Sequence, residues 1–192
     1  HDMTKLDELV GAANAAVAAR NWQEAERLWE EVHAIDPKHP RALYALTAHA
    51  LQRGDLGRAH ERLMEALSAA PSDLSILQLA ISIHEKRGDP ASELKAIEQA
   101  LTVEPYFLSA LLSKASWMER QGRGVEAAAA YRNALTVAGP ERNWPQGMGP
   151  ILMHARDVAG GFGAPSLFVG ERLFWGNDRM ALLRAHLDEL AA

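Results

Sequence analysis

Three kinds of residue recur in this sequence at one common interval of 34 positions. Proline, glycine and an alanine followed by leucine each return with that period. The recurring positions are Pro37, Pro71 and Pro105, then Gly54, Gly88 and Gly122, then Ala66, Ala100 and Ala134. Because three residue types share one register, the chain is built from a structural repeat. Such repeats bury their apolar faces by stacking on their neighbours.

The chemistry of the recurring residues indicates pairs of helices. Glycine permits the left-handed backbone that ends a first helix in a tight turn, and proline stops a second helix and fixes the next turn. Small residues such as Ala25, Ala59 and Ala127 let paired helices approach closely, and we expect Ala59, Ala100 and Ala127 to be buried between helices. Helical periodicity and these stop signals predict nine helices. Their predicted ranges are 4–19, 22–35, 39–53, 56–69, 72–87, 90–103, 106–121, 124–137 and 148–159, the last with Pro150 in its first turn.

The spacing of glycine, alanine, bulky apolar residue, alanine and proline resembles the tetratricopeptide repeat (TPR). The resemblance implies an all-α fold, a TPR α-solenoid in which helix pairs form a right-handed superhelix. We assign four units, at 6–39, 40–73, 74–107 and 108–141, followed by a capping helix within 142–160 that covers the open apolar end. Residues 1–5 are interpreted as a leader that begins with an expression scar. Some positions depart from the pattern: Arg20 replaces the glycine of the first unit, Glu93 replaces the small alanine of the third, and Gly139-Pro140 shifts the last proline by one residue.

The last 32 residues, 161–192, differ in character, being rich in glycine with a short apolar alternation. They predict a small C-terminal β-hairpin, with strands at 166–170 and 172–175, and a terminal helix at 178–190. An isolated hairpin is marginally stable and has two open edges. The predicted hairpin therefore lies against the last repeat helices or pairs with the same hairpin of a second chain. We favour the second arrangement, a homodimer.

Two further resemblances concern enzymes. Gly163-Ala164-Pro165-Ser166 and the run from Phe174 to Arg179 resemble the end of the 2-hydroxychromene-2-carboxylate isomerase and kappa-class glutathione transferase type. This resemblance implies an incomplete thioredoxin-fold tail, with Pro165, Asp178 and Arg179 near a glutathione site. The stretch VEPYFLSALLSKASWMERQGRGVEAAAAYRNAL, followed by HARDV, is similar to the N-terminal TPR region of bacterial aspartyl/asparaginyl β-hydroxylase-like proteins. That similarity implies the non-catalytic TPR portion of a truncated or rearranged enzyme.

Composition narrows the function. The formal net charge is −5, and the 20 lysines and arginines are scattered among 25 acidic residues, which argues against nucleic acid as a partner. No apolar run has the length of a membrane span, and the absence of cysteine excludes disulfides and zinc–thiolate sites. No metal-binding or phosphate-binding motif is present. We therefore expect a cytoplasmic protein that is not an enzyme and has no cofactor, metal site or catalytic residue.

The first helix of each TPR unit lines the concave face, so the repeat register predicts a groove. The expected groove residues are Asn14, Arg41, Tyr44, Gln52, Gln78, Ser82, Glu85, Leu112, Ser116 and Glu119. We expect Arg41 and Tyr44 to be accessible, and Glu85 and Glu119 to be solvated carboxylates. A helix-lined groove of this kind holds an extended or helical peptide. The sequence thus predicts a protein–protein interaction scaffold that binds a peptide or protein partner.

Overall fold

The computed structural model describes residues 2–161, and all regular secondary structure in that range is helical. The predicted hairpin and terminal helix lie outside the described residues. Within the described range, no helix combines the length and the apolar character that crossing a membrane requires. Contacts divide these residues into two compact units, one that ends at Asp89 and one that begins at Pro90.

The helices agree with the predicted ranges to within two residues at each end. In the first unit they are α1 (Asp2–Ala18), α2 (Trp22–Ile35), α3 (Pro40–Arg53), α4 (Leu56–Ala69) and α5 (Leu74–Lys86). In the second unit they are α6 (Pro90–Val103), α7 (Leu108–Arg120), α8 (Gly124–Ala138) and α9 (Gly149–Gly160), with a short 3-10 turn at Glu141–Asn143. Pro150 lies in the first turn of α9, as predicted.

The turns within the helix pairs explain the recurring glycine. Gly54, Gly88 and Gly122 have φ of 79°, 71° and 77°, in the left-handed region that glycine adopts without a steric penalty. Arg20 occupies the corresponding position of the first pair with φ of 59°, and its N–H donates to the carbonyl of Val17 at 2.9 Å. The backbone therefore keeps the same turn despite the substitution, at a cost of about 1–2 kcal/mol for a residue that carries a Cβ.

Small residues allow the close helix contacts in both units. Ala59 in the first unit and Ala100 and Ala127 in the second are fully buried, which confirms the predicted helix contacts. In the first unit, Trp29 is 1% exposed and packs in a core shared by α1, α2 and α3. The core of the second unit joins α7, α8 and α9, where Ile151 and Leu152 from α9 are buried.

The third repeat replaces a small-residue contact with an ion pair. Glu93 on α6 is 1% exposed, and its two carboxylate oxygens accept hydrogen bonds from Arg120 on α7 at 3.1 and 2.5 Å. A buried carboxylate requires a partner of this kind because desolvation of an unpaired charge is costly. Glu93 is thus compatible with the helix packing that alanine provides elsewhere.

Candidate functional site

A cleft opens in the first unit between α1, α2, α3 and the start of α5. It contains about 640 Å³ of empty space, including space open to solvent. Its walls are mainly apolar and aromatic. The lining residues are Val17, Trp22, Trp29, Pro40, Arg41, Tyr44, Ala45, His49, Asp73, Ser75 and Ile76.

Helical spacing brings these side chains to one place. Arg41, Tyr44, Ala45 and His49 follow one another at intervals of three, one and four on α3, so they share one helix face. The face begins immediately after the turn that precedes Pro40, which lies in the first turn of α3. The face of α3 that carries Arg41 and Tyr44 therefore forms one wall of the cleft.

The second wall comes from α2. Trp22 and Trp29 are seven residues apart, which places them on the same side of that helix. The Trp22 ring lies 5.9 Å from the His49 ring, centroid to centroid, and the guanidinium carbon of Arg41 lies 5.8 Å from the centroid of Trp29. The indole N–H of Trp29 is buried and has no hydrogen-bond acceptor among the described residues. The cleft is thus lined by aromatic rings from two helices.

The third wall is the start of α5. Asp73 is the N-cap of that helix, and its carboxylate accepts a hydrogen bond from the N–H of Ile76 at 3.1 Å. This bond satisfies one of the free donors at the helix start and fixes the position of the carboxylate beside the cleft. Ser75 lies two residues further on, half-buried in the same wall.

Burial determines the charge state of the groups in the cleft. Desolvation raises the pKa of the Tyr44 phenol, and the negative charge of Asp73 raises it further. Desolvation lowers the pKa of His49, and Arg53 lowers it further, whereas Glu26 opposes the shift. At neutral pH the cleft therefore presents a neutral phenol and a neutral imidazole, with one cationic group, Arg41, and one anionic group, Asp73.

The predicted groove residues of the first unit do not all contribute to this cleft. Arg41 and Tyr44 line it, but Tyr44 is only 5% exposed, so the expectation that its side chain is accessible is wrong. The other five predicted residues on α1, α3 and α5 lie outside the cleft lining. They are Asn14, Gln52, Gln78 and Glu85, which are half-buried, and Ser82, which is buried.

The predicted groove residues of the second unit are placed differently from the expectation. Leu112 and Ser116 are 1% and 2% exposed, and Leu112 belongs to the core formed with α8 and α9. The side chain of Glu119 is 10% exposed, and the expectation of a solvated carboxylate is wrong. One of its oxygens accepts from the Tyr131 hydroxyl at 2.7 Å and lies 2.9 Å from Nε2 of His154. These partners come from α8 and α9, so the first helix of the repeat, considered alone, did not predict the burial.

Sequence reasoning missed several residues of the cleft. Trp22, Trp29, His49 and Asp73 are not among the residues that the repeat register assigned to the groove. The burial of Trp29 agrees with a packing role, but its ring also forms a wall of the cleft. The sequence did contain a signal for this wall, because Trp22 and Trp29 lie seven positions apart on one helix. The equivalent positions two repeats later are Pro90 and Ile97, so the two tryptophans are not part of the repeat pattern.

Within residues 2–161 there is no group of three or more histidine, aspartate or glutamate side chains placed to hold a metal ion. Two groups of polar side chains in that range are instead held together by hydrogen bonds between helices. Glu119, Tyr131 and His154 form a hydrogen-bonded group within the second unit, and Glu93 pairs with Arg120. In both cases the polar groups satisfy one another across helices.

The comparisons with known proteins agree with this architecture. Residues 16–82 match the family model described as tetratricopeptide repeat. No curated protein matches the chain. Neither finding supports the resemblances to hydroxylase-like proteins or to isomerases and glutathione transferases.

Solved structures resemble the chain at low sequence identity. A crystal structure of MamA is 14% identical, with a TM-score of 0.65 over 92% of this chain and 94% of that one. The TPR protein YrrB, whose structure is described as having an unusual peptide-binding site, is 14% identical, with a TM-score of 0.61 over 98% of each chain. A thermophilic TPR protein of Thermus thermophilus is 16% identical, with a TM-score of 0.60 over 93% of this chain and 99% of that one. The described part of the chain therefore has the all-α helical-repeat fold of tetratricopeptide-repeat proteins.

Proposed function

We propose that this protein is an interaction module that holds a segment of another polypeptide on the concave faces of its first helices. The observation that carries the proposal is the cleft lined by α1, α2, α3 and the start of α5. It is concave, mainly apolar, and bordered by a few fixed polar groups, which is the usual composition of a binding pocket. In this proposal the chain has no catalytic role of its own.

The residue types in the cleft support a polypeptide partner. Tryptophan, tyrosine and arginine are the residues most often responsible for binding energy at protein interfaces, and all three line this cleft. The aromatic rings are held by packing, so little side-chain entropy is lost when a partner binds. The peptide-binding site described for YrrB, a protein of the same fold, is consistent with this role.

The proposal can be tested by selecting binders from a random peptide library displayed on phage. The full chain is compared with Ser75→Trp, in which a large side chain fills the cleft from the α5 wall. Ser72→Trp is the matched control, because Ser72 is exposed in the turn before α5 and does not line the cleft. We expect peptides that bind the wild-type chain and Ser72→Trp but not Ser75→Trp. Enrichment of the same peptides by all three proteins would place binding elsewhere and refute the proposal.

A further inference from the structure

We propose that the cleft of the first unit is an anchor pocket that accepts one neutral aromatic side chain, tryptophan or phenylalanine, from the bound polypeptide. This inference rests on the proposed function and specifies which partner chemistry the site selects. It concerns only the first unit and the eleven residues that line its cleft.

The shape and composition of the walls favour an aromatic occupant. Trp22 and Trp29 line one side, and Tyr44 and His49 line another. Aromatic rings prefer offset or edge-to-face contact with one another, and such pairs gain energy beyond that of the buried area. A branched aliphatic side chain would fill part of the space without these contacts.

The charges of the cleft favour a neutral occupant. The cationic Arg41 and the anionic Asp73 both line it, so its ionised groups carry no net charge. Arg41 already lies over the face of Trp29, which places a cation where a positively charged ligand would need to sit. A lysine or arginine side chain would be repelled by Arg41, and an acidic side chain would be repelled by Asp73.

The aromatic residues that line the cleft are not repeated throughout the array. Two repeats later, the positions equivalent to Trp22, Trp29 and Tyr44 are Pro90, Ile97 and Leu112, so all three aromatic residues are lost. Leu112 is 1% exposed and belongs to the core of the second unit. We therefore infer one aromatic anchor for the described residues, supplied by the first unit.

The test uses the full chain with methyl groups labelled for NMR, and four small probes. These are N-acetyl-tryptophanamide, N-acetyl-phenylalaninamide, N-acetyl-alaninamide and N-acetyl-lysinamide. The methyl groups of Val17, Ala45 and Ile76 line the cleft and will report a bound aromatic ring through its ring-current shift. We expect saturable shifts with the two aromatic amides and at least about tenfold weaker binding of the other two. The indole N–H resonance of Trp29 should move in the same titration.

Two variants that fill the cleft from different helices control for misfolding. Ser75→Trp acts from α5 and Val17→Phe from α1, and both should abolish the shifts while Ser72→Trp preserves them. Equal affinity for the alanine or lysine amide, or unchanged binding in both filled variants, would overturn the inference. If library peptides require the cleft yet share no aromatic residue, the proposed function stands and the aromatic anchor is refuted. If the aromatic amides bind but no library peptide does, the proposed function fails instead.

The chain's own aromatic residues beyond the described range are the competing occupant. The titration is therefore repeated with Phe162→Ser, Phe168→Ser, Phe174→Ser and Trp175→Ser introduced together. Unchanged affinity supports a partner's side chain as the ligand. At least about tenfold tighter binding of N-acetyl-tryptophanamide after the substitutions would show that the chain fills its own cleft, and would overturn the partner assignment.

Discussion

Glu93 and Arg120 are joined by two hydrogen bonds but differ in their access to water. The carboxylate side chain is 1% exposed, whereas the arginine side chain is 18% exposed. The two substitutions that break the pair therefore differ in their consequences. Removal of arginine takes two hydrogen bonds from a buried carboxylate, whereas removal of glutamate takes them from a guanidinium that can reach solvent.

This difference predicts unequal losses of stability. Arg120→Met should lower the free energy of unfolding by about 3–5 kcal/mol, as expected when a buried ion pair is broken by removing one member. Glu93→Ala should cost less, since it restores the residue type of the other repeats. The control is Glu61→Ala, which breaks an exposed pair with Arg58 and should cost at most about 1 kcal/mol. Urea unfolding measures all three, and a greater loss in Glu93→Ala than in Arg120→Met would contradict the burial difference.

The hydrogen bond from Tyr131 to Glu119 makes a second prediction. Tyr131→Phe keeps the buried ring but removes the hydroxyl that donates to the carboxylate at 2.7 Å. We expect a loss of about 1.5–3 kcal/mol in the free energy of unfolding, the range for hydrogen bonds to charged groups. Thr136→Val is a control on the same helix, because its exposed hydroxyl bonds only to the carbonyl of Arg132 among the described residues. Similar denaturation midpoints for Tyr131→Phe and wild type would mean that the carboxylate is satisfied without this bond.

Close packing at Ala59 yields a third prediction. This residue is fully buried on α4, and a larger side chain there must displace its neighbours. Ala59→Leu should lower the free energy of unfolding by about 1–3 kcal/mol through overpacking. Ala69→Leu adds the same side chain at an exposed position of the same helix and should change stability little. If thermal denaturation finds the two variants equally stable, the predicted close approach of the helices is wrong.

The buried imidazole of His49 predicts a pH dependence. Burial lowers its pKa below the ordinary value of 6.5, so His49 binds a proton more weakly in the folded protein than in the unfolded chain. Stability is therefore complete above that value and falls as the pH drops below it. His49→Leu should show a shallower decline of the urea midpoint between about pH 7.5 and 5.5. Part of the slope should remain, because burial also lowers the pKa of His84. A slope equal to that of wild type would exclude His49 as a contributor.

The sequence predicted the helices and their close contacts better than the lining of the cleft. Gly54 and its equivalents fix backbone turns through local sterics, so their period identified the helix pairs directly. The environment of Glu119 depends on Tyr131 and His154, which lie on two later helices. Positions on first helices alone could not reveal those contacts.

The cleft illustrates the same limit. Arg41 and Tyr44 were found by repeat register because they lie on the expected face of α3. Trp22 and Trp29 lie on α2, the second helix of its pair, and Asp73 is the N-cap of α5. The repeat register assigns such positions to packing and to turns. Whether a residue lines a cavity depends on the gap left by its neighbours, and single-helix periodicity contains no information on that gap.

The central claim is that a polypeptide segment binds in the cleft of the first unit. The most direct test is the affinity of one library-selected peptide for wild type, Ser75→Trp and Ser72→Trp, measured by isothermal titration calorimetry with the fold of each checked by its melting temperature. Our account predicts that Ser75→Trp weakens binding by at least about tenfold, whereas Ser72→Trp stays within about twofold of wild type. Equal affinity for all three folded proteins would contradict it.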